Sequence, residues 1–168
     1  MDEDLERRLK TLATRIDDAN SLGYRPRRET LVAMDNAVGG EDLECVFVSL
    51  KKSDEGRGVS GMLLLVGATL VTRVLLDRVT IPRLKLPDEG RVSLTTVRRS
   101  RLRHFDVSVP AHETRVDWSE PSGFTDDSMI ELDYDGLGVK MVFRLGQFGT
   151  YERDSVVRAF ARDLSQSS

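Results

Sequence analysis

The stretch that decides the fold is Gly61–Leu76, GMLLLVGATLVTRVLL. Two apolar runs overlap this stretch, Val59–Val66 and Leu70–Leu75. They are separated by Gly67-Ala68, a spacing that suits a tight hairpin. The stretch is shorter than the roughly 20 apolar residues that a membrane-spanning helix needs, and polar side chains interrupt it. We therefore predict two buried antiparallel strands at this point of the chain.

Shorter alternations of apolar and polar residues flank this hairpin on both sides. Leu43–Ser49 predicts a strand that is largely buried on both faces, and Val92–Thr96 and Phe105–Val109 predict two more. Met129–Leu145 contains Asp135-Gly136, the preferred dipeptide of a two-residue hairpin turn. The chain is thus predicted to form about seven antiparallel strands.

Helical periodicity appears at both ends of the chain. The segment 2–22 carries one apolar stripe along a charged helix, residues 29–37 form a shorter helical segment, and a second amphipathic helix begins near Thr150. The N-terminal stripe either packs on the chain's own sheet or pairs with the stripe of a second copy, and the sequence leaves both open. We predict an N-terminal helical extension at 1–37 and one domain at 38–168. The predicted docking stripe consists of Leu5, Leu9, Leu12 and Ile16.

Composition excludes several classes of protein. The 168 residues suit one domain, and a net charge of −3 argues against a protein that binds nucleic acid with its whole surface. Cys45 is the one cysteine, so an internal disulfide is excluded, and His104 and His112 belong to no zinc-binding spacing. The acidic N-terminus is unlike a signal peptide. We therefore expect a cytoplasmic protein, with peripheral attachment to a membrane left open.

The order of these elements resembles that of a known family. The run Gly40–Cys45, the hairpin Gly61–Leu76, the Ile81-Pro82 step, the triplet Val142-Phe143-Arg144 and the closing helix are similar to a bacterial pleckstrin-homology-like (PH-like, GRAM-related) domain, over about Val38–Leu164. The resemblance implies an α+β fold in which a bent antiparallel sheet, or partly open barrel, is covered by a C-terminal helix. It also implies a binding module without chemistry of its own, whose relatives bind anionic lipid head groups or, more often, proteins and copies of themselves.

Charge is divided unevenly along the chain. Residues 73–103 carry a formal charge of +6, and residues 104–149 carry −6. Because alternate residues of a strand point to the same side, Arg99, Arg101 and Arg103 are expected to project together and to bind an anion or an acidic partner. The alternatives are solvated arginines, a protein partner or self-association, an anionic membrane and, least favoured, nucleic acid. We name the following four residues the basic cluster: Arg98, Arg99, Arg101 and Arg103.

No catalytic motif stands out. The sequence lacks a GxSxG elbow and a phosphate-binding loop, and neither histidine has an evident nucleophile as partner. We therefore predict no enzyme activity, no cofactor and no metal site. The leading prediction is a module for protein–protein assembly that uses the basic cluster and the N-terminal helix, and the alternative is a peripheral binder of anionic lipids. The carboxylates considered as metal ligands or acid–base pairs, and set aside as solvated turns, are Asp126, Asp127, Glu131, Asp133 and Asp135.

Overall fold

The protein is α+β, with three α-helices and two antiparallel sheets among the residues that its computed structural model describes, 2–53, 58–81, 90–110 and 124–167. Pro82 and His112, named above, lie outside these ranges. The elements are α1 (Glu3–Ala19), α2 (Arg28–Ala37), β1 (Cys45–Lys52), β2 (Gly58–Val66), β3 (Leu70–Thr80), β4 (Arg91–Arg98), a 3₁₀ turn (Arg99–Arg101), β5 (Leu102–Ser108), β6 (Met129–Tyr134), β7 (Met141–Arg144), a second 3₁₀ turn (Leu145–Gln147) and α3 (Thr150–Gln166).

The chain forms two compact units, Met1–Arg99 and Ser100–Ser168. The first unit holds α1, α2 and the sheet β1-β2-β3-β4, and the second holds the sheet β5-β6-β7 and α3. The two helices of the predicted extension therefore share a unit with the first sheet. The domain division into 1–37 and 38–168 stays a prediction.

Helix α1 is attached to the first unit by its apolar stripe. Asp2 begins the helix by accepting hydrogen bonds from the backbone N–H groups of Asp4 and Leu5, at 3.1 and 3.3 Å. The helix then packs against α2 and β1. Behind it, Tyr24 is almost fully buried, and this burial raises the pKa of its hydroxyl to about 12. The chain after α1 is thus part of the core.

The end of α2 is held by hydroxyl groups of the sheet below it. The last carbonyl groups of a helix lack partners within the helix. The carbonyl oxygen of Ala37 accepts hydrogen bonds from Thr72 Oγ1 at 3.3 Å and from Thr96 Oγ1 at 3.0 Å. Thr72 is fully buried on β3, so these bonds also satisfy a polar group inside the core.

The second unit has a three-stranded sheet with one buried face. Alternate residues of β6, Ile130, Leu132 and Tyr134, are buried, as is Phe143 of β7. Helix α3 packs against β5, and its Phe160 is buried. The side chains between these positions point to the opposite, outer face of the sheet.

The sheets confirm the α+β class, the antiparallel pairing and the C-terminal helix. They differ from the predicted single bent sheet, because the described strands form two separate ladders of four and three strands. The last hairpin also differs. Its strands end at Tyr134 and begin again at Met141, so Asp135-Gly136 starts a six-residue connection and Leu137 turns inward to be buried. The gain from burying Leu137 outweighs the preference for a two-residue turn.

In the described ranges, no helix combines the length and the apolar character that crossing a membrane requires.

Candidate functional site

The basic cluster does not form one row of side chains. Alternation along a strand applies only to extended residues, but Arg99–Arg101 form a 3₁₀ turn between β4 and β5. A bulge then shifts the pairing of β5 with β6 between Leu102 and His104, so that Arg103 lies outside the regular register. The expectation that Arg99, Arg101 and Arg103 project together is therefore wrong.

Arg99 belongs to the core of the first unit. Arg99 is 9% exposed. Its guanidinium donates to Glu44 Oε2 at 2.5 Å and to the carbonyl oxygen of Gly67 at 2.9 Å. Its backbone N–H donates to the carbonyl oxygen of Thr69 at 2.8 Å. Arg99 thus fixes the turn between β2 and β3, and its guanidinium is already occupied. Arg98, its neighbour, is exposed.

The two remaining arginines of the cluster are paired with carboxylates of the second unit. Arg103 Nη2 donates to both oxygens of Asp133, at 3.1 and 3.3 Å, and its Nη1 lies 3.7 Å from Asp135. Arg101 Nη1 lies 4.0 Å from the other oxygen of Asp135, and its carbonyl accepts the Asp135 N–H at 2.9 Å. Both arginine side chains are more than half exposed. Both cations are therefore exposed to solvent and partly neutralised by the carboxylates of Asp133 and Asp135.

A second group of polar side chains lies beside these ion pairs on the outer face of the sheet. His104 and Asp106 are alternate residues of β5, and their Nε2 and Oδ2 atoms lie 2.8 Å apart. Glu131 of β6 is directly opposite Asp106 and pairs with Lys140 Nζ at 3.2 Å. A ligand atom from each of His104, Asp106 and Glu131 lies within 4.8 Å of the others. These three side chains have the types and the spacing that can hold a metal ion.

Cations and carboxylates are interspersed on this side of the second unit. Arg144 of β7 pairs with Asp127 at 2.8 Å and extends the same pattern. Four cations thus stand among five carboxylates, beside His104. We name these residues the charged patch: Arg101, Arg103, His104, Asp106, Asp127, Glu131, Asp133, Asp135, Lys140 and Arg144.

The five carboxylates that the sequence analysis interprets as solvated turns have different partners in the structure. Asp126 pairs with Arg153 of α3, a buried side chain that also donates to the carbonyl oxygens of Phe124 and Phe148, each at 3.2 Å. This ion pair holds the segment before β6 against α3. Asp127, Glu131, Asp133 and Asp135 lie in the charged patch.

The predicted docking stripe of α1 is covered by the chain itself. Leu9, Leu12 and Ile16 are buried in the core of the first unit, and Leu5 packs against that core while partly exposed. The stripe thus contacts the chain's own helix and sheet, which was one of the two alternatives left open. As folded, it offers no apolar face to a second copy.

One ion pair of the first unit was not predicted from the sequence. Arg8 of α1 makes a two-pronged ion pair with Asp35 of α2, at 2.8 and 3.2 Å, and these hydrogen bonds raise the pKa of Arg8. The cavity beside this pair measures about 20 Å³, room for one water molecule. In the sequence, the signal for this ion pair was Asp35 itself, a charged residue within a short helix whose apolar periodicity is weak. This cavity is too small for an organic substrate.

A scan against protein-family models finds none that matches the chain, and a search of curated proteins finds no match. The PH-like resemblance of Val38–Leu164 therefore stays a prediction. The geometry of the chain's own residues carries the functional inference.

Proposed function

We propose that this protein is a non-enzymatic, PH-like binding module for protein–protein assembly, and that a second copy of the chain is its partner. Support for the PH-like assignment comes from chain order: four antiparallel strands, then three, then a C-terminal helix. The resemblance implies antiparallel strands covered by a C-terminal helix. A module of this kind acts through its surface, so the surface chemistry must supply the specificity.

The charged patch is the observation that carries the proposal. Its cations and carboxylates are interspersed over β5, β6, β7 and the turns beside them, and exposed side chains of both signs are present. A twofold-related copy brings Arg101 and Arg103 of one chain towards Asp106 and Glu131 of the other, and the reverse. Such isologous contacts are self-complementary, and complementary charges favour one docking geometry over non-specific association.

The same mixture of signs disfavours the alternative, attachment to an anionic membrane. Surface attraction depends on several cations that lie close to the lipid without nearby carboxylates. Here Asp133 and Asp135 hold the arginines, and Asp106 and Glu131 follow on the same face. An anionic surface would meet about as much repulsion as attraction.

A charge reversal tests the assembly. We expect the full chain to associate in sedimentation velocity at low salt, and Arg101→Glu combined with Arg103→Glu to weaken this association by more than about tenfold, because like charges then face each other. The matched control places the same charge change on α3 with Arg158→Glu and Arg162→Glu, both exposed residues of the same unit. The control should associate like the wild type.

A charge swap makes the test specific. A chain with Asp106→Lys and Glu131→Lys should also fail to associate alone, and it should form a heterodimer when mixed with the Arg101→Glu, Arg103→Glu chain. Circular dichroism melts show that each variant is folded. A wild-type chain that stays monomeric at every concentration, or a control variant that loses association equally, would overturn the proposal.

A further inference from the structure

We infer that His104, Asp106 and Glu131 form a binding site for a divalent transition-metal ion of the Zn²⁺ type on the outer face of the second sheet. The site shares Asp106 and Glu131 with the proposed interface, but its evidence does not depend on that assembly. It rests on strand geometry, on the charges that this geometry brings together and on the chemistry of the three donors.

Strand geometry aims the three side chains at one point. His104 and Asp106 are two residues apart on β5, so both project from the same face. The pairing of β5 with β6 places Glu131 directly opposite Asp106, on the same face again. Donor atoms of all three residues fall within 4.8 Å of one another. In a tetrahedral zinc site with bonds of about 2.0–2.2 Å, donor atoms lie roughly 3.3–3.6 Å apart, so small rotations of exposed side chains close the site.

The register also creates a local excess of negative charge. Like charges directly opposite each other destabilise a pair of strands, and Asp106 and Glu131 are such a pair. Each carboxylate is accompanied by a nitrogen: His104 Nε2 at 2.8 Å from Asp106, and Lys140 Nζ at 3.2 Å from Glu131. A divalent cation would neutralise both carboxylates at once. Lys140 competes with it for Glu131.

The donor set selects the class of ion. One imidazole with two carboxylates suits zinc and its neighbours in the first transition row, whereas Mg²⁺ and Ca²⁺ prefer sites made only of oxygen. Asp133 lies opposite His104, but both of its oxygens accept hydrogen bonds from Arg103. Among the residues that the structure describes, these three supply the ligands, and water would complete the coordination.

Calorimetric titration of the full, untagged chain with ZnCl₂, after removal of metal by a chelator, tests the site. We expect one Zn²⁺ per chain and no comparable binding of MgCl₂. Loss of a group that merely orients a ligand typically costs about 10–100-fold in metal affinity, so His104→Gln and Asp106→Asn should each weaken zinc binding at least that much. The matched control is Asp127→Asn, which removes an exposed carboxylate of the same unit outside this group and should leave binding unchanged.

A substitution that strengthens binding separates this site from a non-specific one. Lys140→Met removes the ammonium group that competes for Glu131, and it should raise zinc affinity about twofold to fivefold, the usual worth of an exposed ion pair. Replacement of Zn²⁺ by Co²⁺ should give a visible absorption band that disappears in His104→Gln. Absence of zinc binding, equal losses in Asp106→Asn and Asp127→Asn, or unchanged or weaker binding in Lys140→Met would each overturn the inference. Thermal melts without metal confirm that every variant is folded.

Discussion

Arg98 and Arg99 are neighbours in the chain, yet their side chains meet different surroundings. Arg98 is exposed at the end of β4, and Arg99 is buried against the turn between β2 and β3. Arg99, a residue of the basic cluster, therefore has a structural role. The turn depends on its guanidinium, because the carbonyl oxygen of Gly67 accepts one of its N–H groups.

We predict that Arg99→Met lowers the free energy of unfolding by about 1–3 kcal/mol, since it leaves a buried carbonyl oxygen without this donor. Glu44 adds little to that figure because its side chain is 51% exposed, where water screens the ion pair. Urea denaturation of the full chain measures the effect. Arg98→Met is the matched control and should change stability by less than about 0.5 kcal/mol. Equal effects of the two substitutions would contradict the structural role of Arg99.

Glu41 connects two elements of the first unit. It follows α2 and accepts hydrogen bonds from the backbone N–H groups of Thr69 and Leu70, at 2.9 and 3.3 Å, and from the Thr69 hydroxyl. Desolvation alone would raise the pKa of Glu41, but the hydrogen bonds together outweigh it and lower the pKa below 4.5. Glu41, which belongs to the run Gly40–Cys45, thus holds the β2–β3 turn through its carboxylate.

We expect Glu41→Gln to be less stable than the wild type at neutral pH. A carboxyl group with a lowered pKa in the folded state contributes stability above its unfolded pKa and loses it as the pH falls through the folded value. The difference between wild type and variant should therefore persist at pH 7 and shrink below about pH 4.5. Denaturation curves at a series of pH values measure it. Asp42→Asn, an exposed neighbour, is the control and should change stability at pH 7 by less than about 0.5 kcal/mol.

At the scale of the whole molecule, charge balance governs what the surface binds. The chain has a net charge of −3, and its +6 and −6 segments meet within the second unit as ion pairs such as Arg103 with Asp133. Neutralisation of this kind weakens long-range attraction towards a uniformly charged surface. It leaves short-range complementarity intact.

We therefore predict that the full chain binds vesicles containing phosphatidylserine no better than neutral vesicles in a flotation assay. Asp133→Asn combined with Asp135→Asn releases Arg101 and Arg103, and this variant should float with the anionic vesicles at low salt. Added salt should abolish its binding because it screens surface charge within about 8–10 Å. Salt-sensitive flotation of the wild type would contradict the prediction and favour the lipid-binding alternative.

The sequence by itself determined the elements whose signal is local. Apolar runs predicted the β2–β3 hairpin, helical periodicity predicted α1 and its stripe, and the chain order predicted an α+β protein with a C-terminal helix. Residues a few positions apart decide these features, so the pattern can be read without knowing the fold.

Only the tertiary structure decided which charged side chains meet. Arg99 and Glu44 are far apart in the sequence, as are Asp106 and Glu131, and strand register together with a 3₁₀ turn brings each pair together. A one-residue change in register moves a side chain to the other face of a sheet, so the function of a charged residue depends on pairing that no local pattern records. That is why the stripe of α1 was recognisable from its spacing, whereas the charged patch was not.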